Sequence, residues 1–176
     1  NTLTVIGGGT LSNQNAIVLD NVDSKLLLNT VTVDSVSTSA DSLGLDVDNN
    51  STITSLSVAN ITPVAIASGK TLSGGITVSA GSIKLNETGT LASTIAMSGG
   101  TLDADDSLVV SGALTQSGDM TIDVADNKTL TYSGAAVEIG TSNTLTLSGG
   151  GTLANANDIV LNGTGSKLLL NSITVD

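Results

Sequence analysis

The residues that could do chemistry are few and mostly acidic. Sixteen carboxylates stand against five lysines, and the chain has no His, Cys or Arg. Ser-His-Asp and Cys-His arrangements cannot be built from this set, because it offers neither an imidazole base nor a thiolate. Paired carboxylates remain: Asp103, Asp105 and Asp106, and separately Asp119, Asp123 and Asp126. Some polysaccharide-cleaving β-helices work with carboxylates on one sheet. Sugar sites usually add aromatic platforms and basic residues, however, and Tyr132 is the single aromatic here. The chain is read as a non-enzyme, with no catalytic, cofactor-binding or metal residue assigned.

Calcium binding suits the acids better than catalysis does. Asp46-Val47-Asp48-Asn49-Asn50 has the oxygen spacing that opens an EF-hand loop, but Ser51 stands where the glycine belongs and Ser57 where the distal acid belongs. The expectation is solvated turn carboxylates with at most weak surface calcium binding, and no cofactor. Thr-x-Thr pairs occur at Thr2/Thr4, Thr30/Thr32, Thr52/Thr54, Thr129/Thr131 and Thr144/Thr146. Flat arrays of such pairs serve ice-binding solenoids, but the uneven steps between these pairs argue against one lattice. Asn-x-Ser/Thr triplets at Asn49, Asn50, Asn60, Asn86, Asn127 and Asn162 imply exposure only where the source glycosylates them.

Charge narrows the partners. A net charge of −11 without a basic cluster disfavours nucleic acid and anionic membranes, both of which require Lys and Arg. It suits solubility, because like-charged filaments repel. No apolar run approaches the length of a membrane span. The absence of Cys is compatible with export. The start, Asn1-Thr2-Leu3-Thr4, carries no basic region or signal core and reads as the middle of a pattern.

Leu, Ile and Val make up 51 of the 176 residues, ample for a core, yet aromatics are 1% of the chain. Such a core must be assembled from small, similar side chains in repeated layers, without aromatics to fill irregular gaps. Apolar residues alternate over short runs: Leu3 and Val5, Val31 and Val33, Leu43, Leu45 and Val47, Ile122 and Val124, Leu145 and Leu147. Period two places one side of each strand inside, and the intervening Thr favours extended backbone. Gly7-Gly8-Gly9, Asp48-Asn49-Asn50, Ser98-Gly99-Gly100 and Gly149-Gly150-Gly151 supply the corners. No segment has a sustained helical period. The triplets Ile17-Val18-Leu19, Leu26-Leu27-Leu28 and Leu168-Leu169-Leu170 break the alternation, and the expectation is that they bend at a corner rather than face a neighbouring filament.

The chain repeats itself. Residues 1–34 align without a gap to residues 143–176 at an offset of 142, with 23 of 34 positions identical. Lys25 and Lys167 are equivalent, each beside a Leu triplet. Inside this unit a looser period of about 20 residues is marked by Leu3, Leu26, Ile53, Leu72, Leu91, Leu108, Leu130 and Leu145. That is the length of a solenoid coil. One coil cannot fold alone, because its few aliphatic side chains do not offset the cost of ordering it. Stacking makes the core continuous.

The run Gly-Gly-Gly-Thr-Leu, the Asn-Thr-Leu-Thr-Leu segment, the Thr/Ser/Asn/Gly-rich turns and the missing aromatics resemble the β-helical stalk repeats of large bacterial surface adhesins, including autotransporter passengers and filamentous-haemagglutinin-like proteins. The resemblance implies export, projection from the cell, and a role in attachment, aggregation or biofilm cohesion. The fold expected is an all-β, right-handed parallel β-solenoid, elongated, with about seven coils in a unit spanning 1–142 and a second unit starting at 143–176. The function expected is an extracellular stalk or filament whose partner is itself, by head-to-tail continuation and lateral bundling. The alternative is a solenoid binding module that recognises a polysaccharide, ice or a host receptor on one face.

Overall fold

Alternating Leu/Ile/Val with Thr/Ser drives short strands, and Gly- and Asn-rich corners turn each strand into the next. The computed structural model of the chain describes residues 1–155 and 157–176, and among these it has 23 strands and no helix. All strand pairings are parallel. The chain winds as a β-solenoid of about nine turns.

Each coil contributes to up to three faces. The first face stacks Thr2–Ile6, Lys25–Asn29, Gly44–Val47, Ile61–Ile66, Ser82–Asn86, Thr101–Ala104, Met120–Val124, Thr144–Ser148 and Lys167–Asn171. The second begins with Thr10–Leu11 and the start of Thr32–Thr38 and ends with Thr152–Asn155 and Thr174–Val175. The third holds Ile17–Leu19, the ends of the long strands Thr32–Thr38, Ser51–Val58 and Thr71–Val78, then Thr94–Met97 and Leu114–Gln116. It resumes as a separate pair, Val137–Ile139 with Ile159–Leu161.

All four corner clusters named from sequence lie between strands. Another corner carries no glycine: Thr30 and its counterpart Ser172 both adopt φ of 56°, an uncommon conformation for residues with a Cβ. The coil marks split between faces. Leu3, Leu26 and Leu145 lie on the first face, whereas Ile53, Leu72, Leu91, Leu108 and Leu130 lie on the second. That switch explains the uneven marks. Coil length also varies on a single face, from the short step between paired Lys25 and Gly44 to the long one between paired Met120 and Leu145.

The core is a thin aliphatic column with Leu26, Leu45, Val64, Leu85 and Val124 wholly or almost wholly buried. Two expectations fail. The triplets are not corners: each lies within a strand, Leu26 and Leu28 pointing in while the middle residue points out, so that Val18 is 49% and Leu169 50% exposed. Leu43 does not join Leu45 and Val47 inside, because Gly44 at φ +81° interrupts the pleat and leaves Leu43 exposed. No side chain fits at Gly44, where a Cβ would lie 1.9 Å from the Pro63 carbonyl oxygen.

The pairing also slides. Leu3, Leu26, Leu45, Val64, Leu85, Ala104 and Val124 form one inward row. Leu145, the sequence counterpart of Leu3, sits instead over Met120, four residues before Val124. Over one 142-residue unit the hydrogen-bonded rows thus move four residues along the strands.

Candidate functional site

Side chains at the corners tie each coil to the next. Where the ladder lapses, a polar side chain accepts from a backbone N–H of a neighbouring coil. Asp41 Oδ1 takes Ile61 N–H at 3.0 Å, Asn50 Oδ1 takes Thr71 N–H at 2.9 Å, and Asp119 Oδ1 takes Thr144 N–H at 2.7 Å. Asn13 Oδ1 accepts from both Asp34 and Ser35, each at 3.2 Å. An unpartnered amide there would cost about 1–3 kcal/mol if desolvated, so these acceptors are structural.

The carboxylates singled out from sequence are spread along the stack. Asp46 lies outward on a strand with Lys25 Nζ at 2.5 Å, while Asp48, Asn49 and Asn50 form a corner. Lys84 Nζ lies 3.3 Å from Asp103 and 3.0 Å from Asp105, and Lys128 Nζ lies 2.6 Å from Asp106. Asp103 is paired directly with Asp123 one coil on, and Asp123 accepts from the Ser148 hydroxyl one coil further. Asp119 caps a corner and Asp126 lies in a turn. Asp119, Asp123 and Asp126 therefore do not converge. Among the described residues, no group of three or more acids, His or Cys could hold a metal ion.

The electrostatics follow from this row. Burial, reinforced by the charge of Asp105, pushes the Asp103 carboxyl above its ordinary value, against the pull of Lys84. The hydrogen bond to Asp105 raises Lys84, opposed by its desolvation. The hydrogen bond from Lys128, with that from the Glu87 N–H, holds Asp106 below the usual carboxylate range. These are ion pairs arranged between coils.

The threonines behave differently from the spacing of Thr-x-Thr pairs. Thr101, Thr121 and Thr146 are directly paired on the first face. On the second, Thr10, Thr32 and Thr52 form one outward row and Thr129, Thr152 and Thr174 another. Variable coil lengths hid these rows, because their members are single threonines one uneven coil apart. The six Asn-x-Ser/Thr asparagines lie at corners or strand ends.

Among the described residues the third face is interrupted once, at a place that was not visible in sequence. Leu114–Gln116 pairs backwards with Thr94–Met97 but not forwards with Val137–Ile139. A shallow groove lies over the break, lined by Thr115, Gln116, Ala136, Glu138, Gly140 and Asn162. Gln116 Nε2 donates to the Thr144 carbonyl at 2.8 Å, leaving its buried Oε1 without a partner. The coil from Met120 to Leu145 is the longest on the first face, and its extra length accompanies this break.

Compared with known proteins, the chain matches no protein-family model, no curated protein and no solved structure at a significant level.

Proposed function

We propose that the chain is a segment of a stiff extracellular stalk or filament, a mechanical spacer at a cell surface that supports adhesion, aggregation or biofilm cohesion. It performs no catalysis in this reading. The observation that carries the reading is the register of the two repeat copies. Thr2–Ile6 pairs with Lys25–Asn29 residue for residue as Thr144–Ser148 pairs with Lys167–Asn171, so units can be concatenated without a change of geometry. The ion pairs and corner acceptors support a load-bearing role, because each links one coil to the next along the axis.

The test is contour length. Proteins of one, two and four 142-residue units, imaged by electron microscopy, should lengthen by about 34 Å per unit, seven coils at ~4.8 Å each. Particles that become rounder instead of longer would refute the stalk. Antibody labelling of intact cells of the source organism tests the location: signal only after permeabilisation would contradict it.

The rows Thr10-Thr32-Thr52 and Thr129-Thr152-Thr174 favour a second reading, a binding face for a polysaccharide, ice or a host receptor. Saturable binding to a glycan array, or thermal hysteresis, that is lost when Thr32 and Thr152 become Lys would establish it.

A further inference from the structure

The core row that meets the third-face break ends on an amide. Leu19, Thr38, Val58, Val78, Met97 and Gln116 are paired in turn, coil by coil, along one inward row. The first five are buried. Gln116 is half-buried, and its Oε1 has no hydrogen-bond partner. The column is loosely filled at the same level, where a cavity of about 10 Å³ lies against Leu102, Leu114, Ile122, Tyr132 and Val137. The other two faces are continuous here. Thr101–Ala104 pairs in full with residues 121–124, and Leu108–Val110 with residues 130–132. Across the break the links are made by side chains. The Leu114 N–H donates to the Tyr132 hydroxyl at 3.1 Å, and Gln116 Nε2 donates to the Thr144 carbonyl at 2.8 Å. Leu114–Gln116 and Val137–Ile139 each keep a paired neighbour on the far side, Thr94–Met97 and Ile159–Leu161.

We infer that the break is a compliant joint. The third face opens there as a wedge, and the solenoid axis bends away from that face with the first and second faces as the pivot. The joint rests on pairing and packing inside the chain and stands apart from the stalk reading. Only its recurrence, once per 142 residues of an array, rests on that reading.

The position and direction of the joint follow from what opening disrupts. Between Ser51–Val58 and Thr71–Val78 a wedge breaks a backbone ladder and wets buried Leu56, Val58, Ile76 and Val78. Paired amides and buried apolar area both oppose it. At the break no ladder stands to be broken, and Gln116 replaces one of the two inward apolar side chains of its strand. Water entering the wedge reaches Gln116 Oε1 and supplies the hydrogen bond that the closed form withholds, which offsets part of the opening cost. The cavity acts in the same direction, because side chains lining a void have already lost contacts there. Tyr132 limits the motion: its hydroxyl holds Leu114 from the following coil.

Spin-label distances on the whole chain test the joint, with each pair placed four coils apart at outward positions. Ser57→Cys with Glu138→Cys spans the break on the third face, and Ser37→Cys with Thr115→Cys lies on that face wholly before it. Ile61→Cys with Thr146→Cys passes the same level on the first face. The second and third pairs should give narrow distributions about a backbone separation of roughly 19 Å, four coils at ~4.8 Å each. The first pair should be broader, with a tail to longer distances, and Tyr132→Phe should broaden it further. A first distribution as narrow as the other two, or one unmoved by Tyr132→Phe, would overturn the inference. So would equal broadening on the first face, because the coils would then part without a pivot. Hydrogen exchange on the unlabelled chain reads the same motion. The Leu114 amide should exchange about tenfold or more faster than the Ile95 amide, which donates to the Ala113 carbonyl at 2.8 Å. Equal protection of the two amides would also overturn it.

Discussion

The Tyr132 hydroxyl accepts a hydrogen bond from the Leu114 backbone N–H at 3.1 Å and donates one to the Ala135 carbonyl at 2.7 Å. The single aromatic of the chain thus stands where the third face loses its ladder, in place of the strand that would have paired with Leu114–Gln116. Its ring fills the core there, 3% exposed. Tyr132→Phe keeps the ring and leaves the buried Leu114 N–H without its acceptor. The expected loss is about 1–3 kcal/mol by chemical denaturation. Burial also raises the Tyr132 pKa, against the effect of the Leu114 N–H. The native state then keeps a proton that the unfolded chain releases, so this contribution to stability declines as pH rises past the ordinary tyrosine value of about 10. The Phe variant should show a shallower alkaline decline.

Asp103→Asn tests the carboxylate row. Because the folded pKa of Asp103 is raised, its charged form is penalised in the native state, and the penalty lifts as pH falls through that folded value. The variant should match or exceed the parent in denaturation midpoint at pH 7, and lose that advantage toward pH 4. Asp106 carries the opposite sign. Its pKa is lowered, so its contribution is present at neutral pH and is lost as pH falls through the folded value. Asp106→Asn should therefore be less stable than the parent at pH 7 and converge on it in acid. A reversed order of the two variants would contradict the ion-pair geometry.

Two glycines with similar backbone angles should respond differently to alanine. Gly69, at φ +70°, has nothing within 4 Å of an added Cβ, so Gly69→Ala carries only the left-handed backbone cost of about 1 kcal/mol. Gly44, at φ +81°, would put its Cβ 1.9 Å from the Pro63 carbonyl oxygen, and the coils must separate to admit it. Gly44→Ala should cost about 3 kcal/mol or more, since a backbone clash adds to the strain. Equal melting temperatures for the two variants would show that the coils are not stacked as described.

Leu28 and Leu170 give a paired test of position against identity. Leu28→Ala removes a fully buried side chain and should cost about 2–5 kcal/mol. Leu170→Ala, in the same local sequence, should fall within about 0.5 kcal/mol of the parent under dilute monomeric conditions. A similar loss at both sites would mean that Leu170 is already covered.

Much of the architecture was legible because the signals are local. Period-two alternation at Ile122 and Val124, glycine at Gly149-Gly150-Gly151 and the match of residues 1–34 to 143–176 demand strands, corners and repetition wherever they occur. The candidate chemistry was less legible. Asp119, Asp123 and Asp126 are close in sequence but serve a corner, a strand face and a turn. Thr101, Thr121 and Thr146 are far apart in sequence but lie in one row.

The amino-acid sequence by itself determined the element type, the aliphatic core, the coil of about 20 residues and the match of residues 1–34 to 143–176, because side-chain size, backbone propensity and internal identity act within a strand or a turn. Only the tertiary structure decided which residues share a row, where Lys84 finds Asp103 and Asp105, why Leu43 faces out, and why Leu3 and Leu145 stand in different columns. Register between parallel coils accumulates from every corner in turn. Because the coils differ in length, a shift at one corner relocates every side chain stacked beyond it.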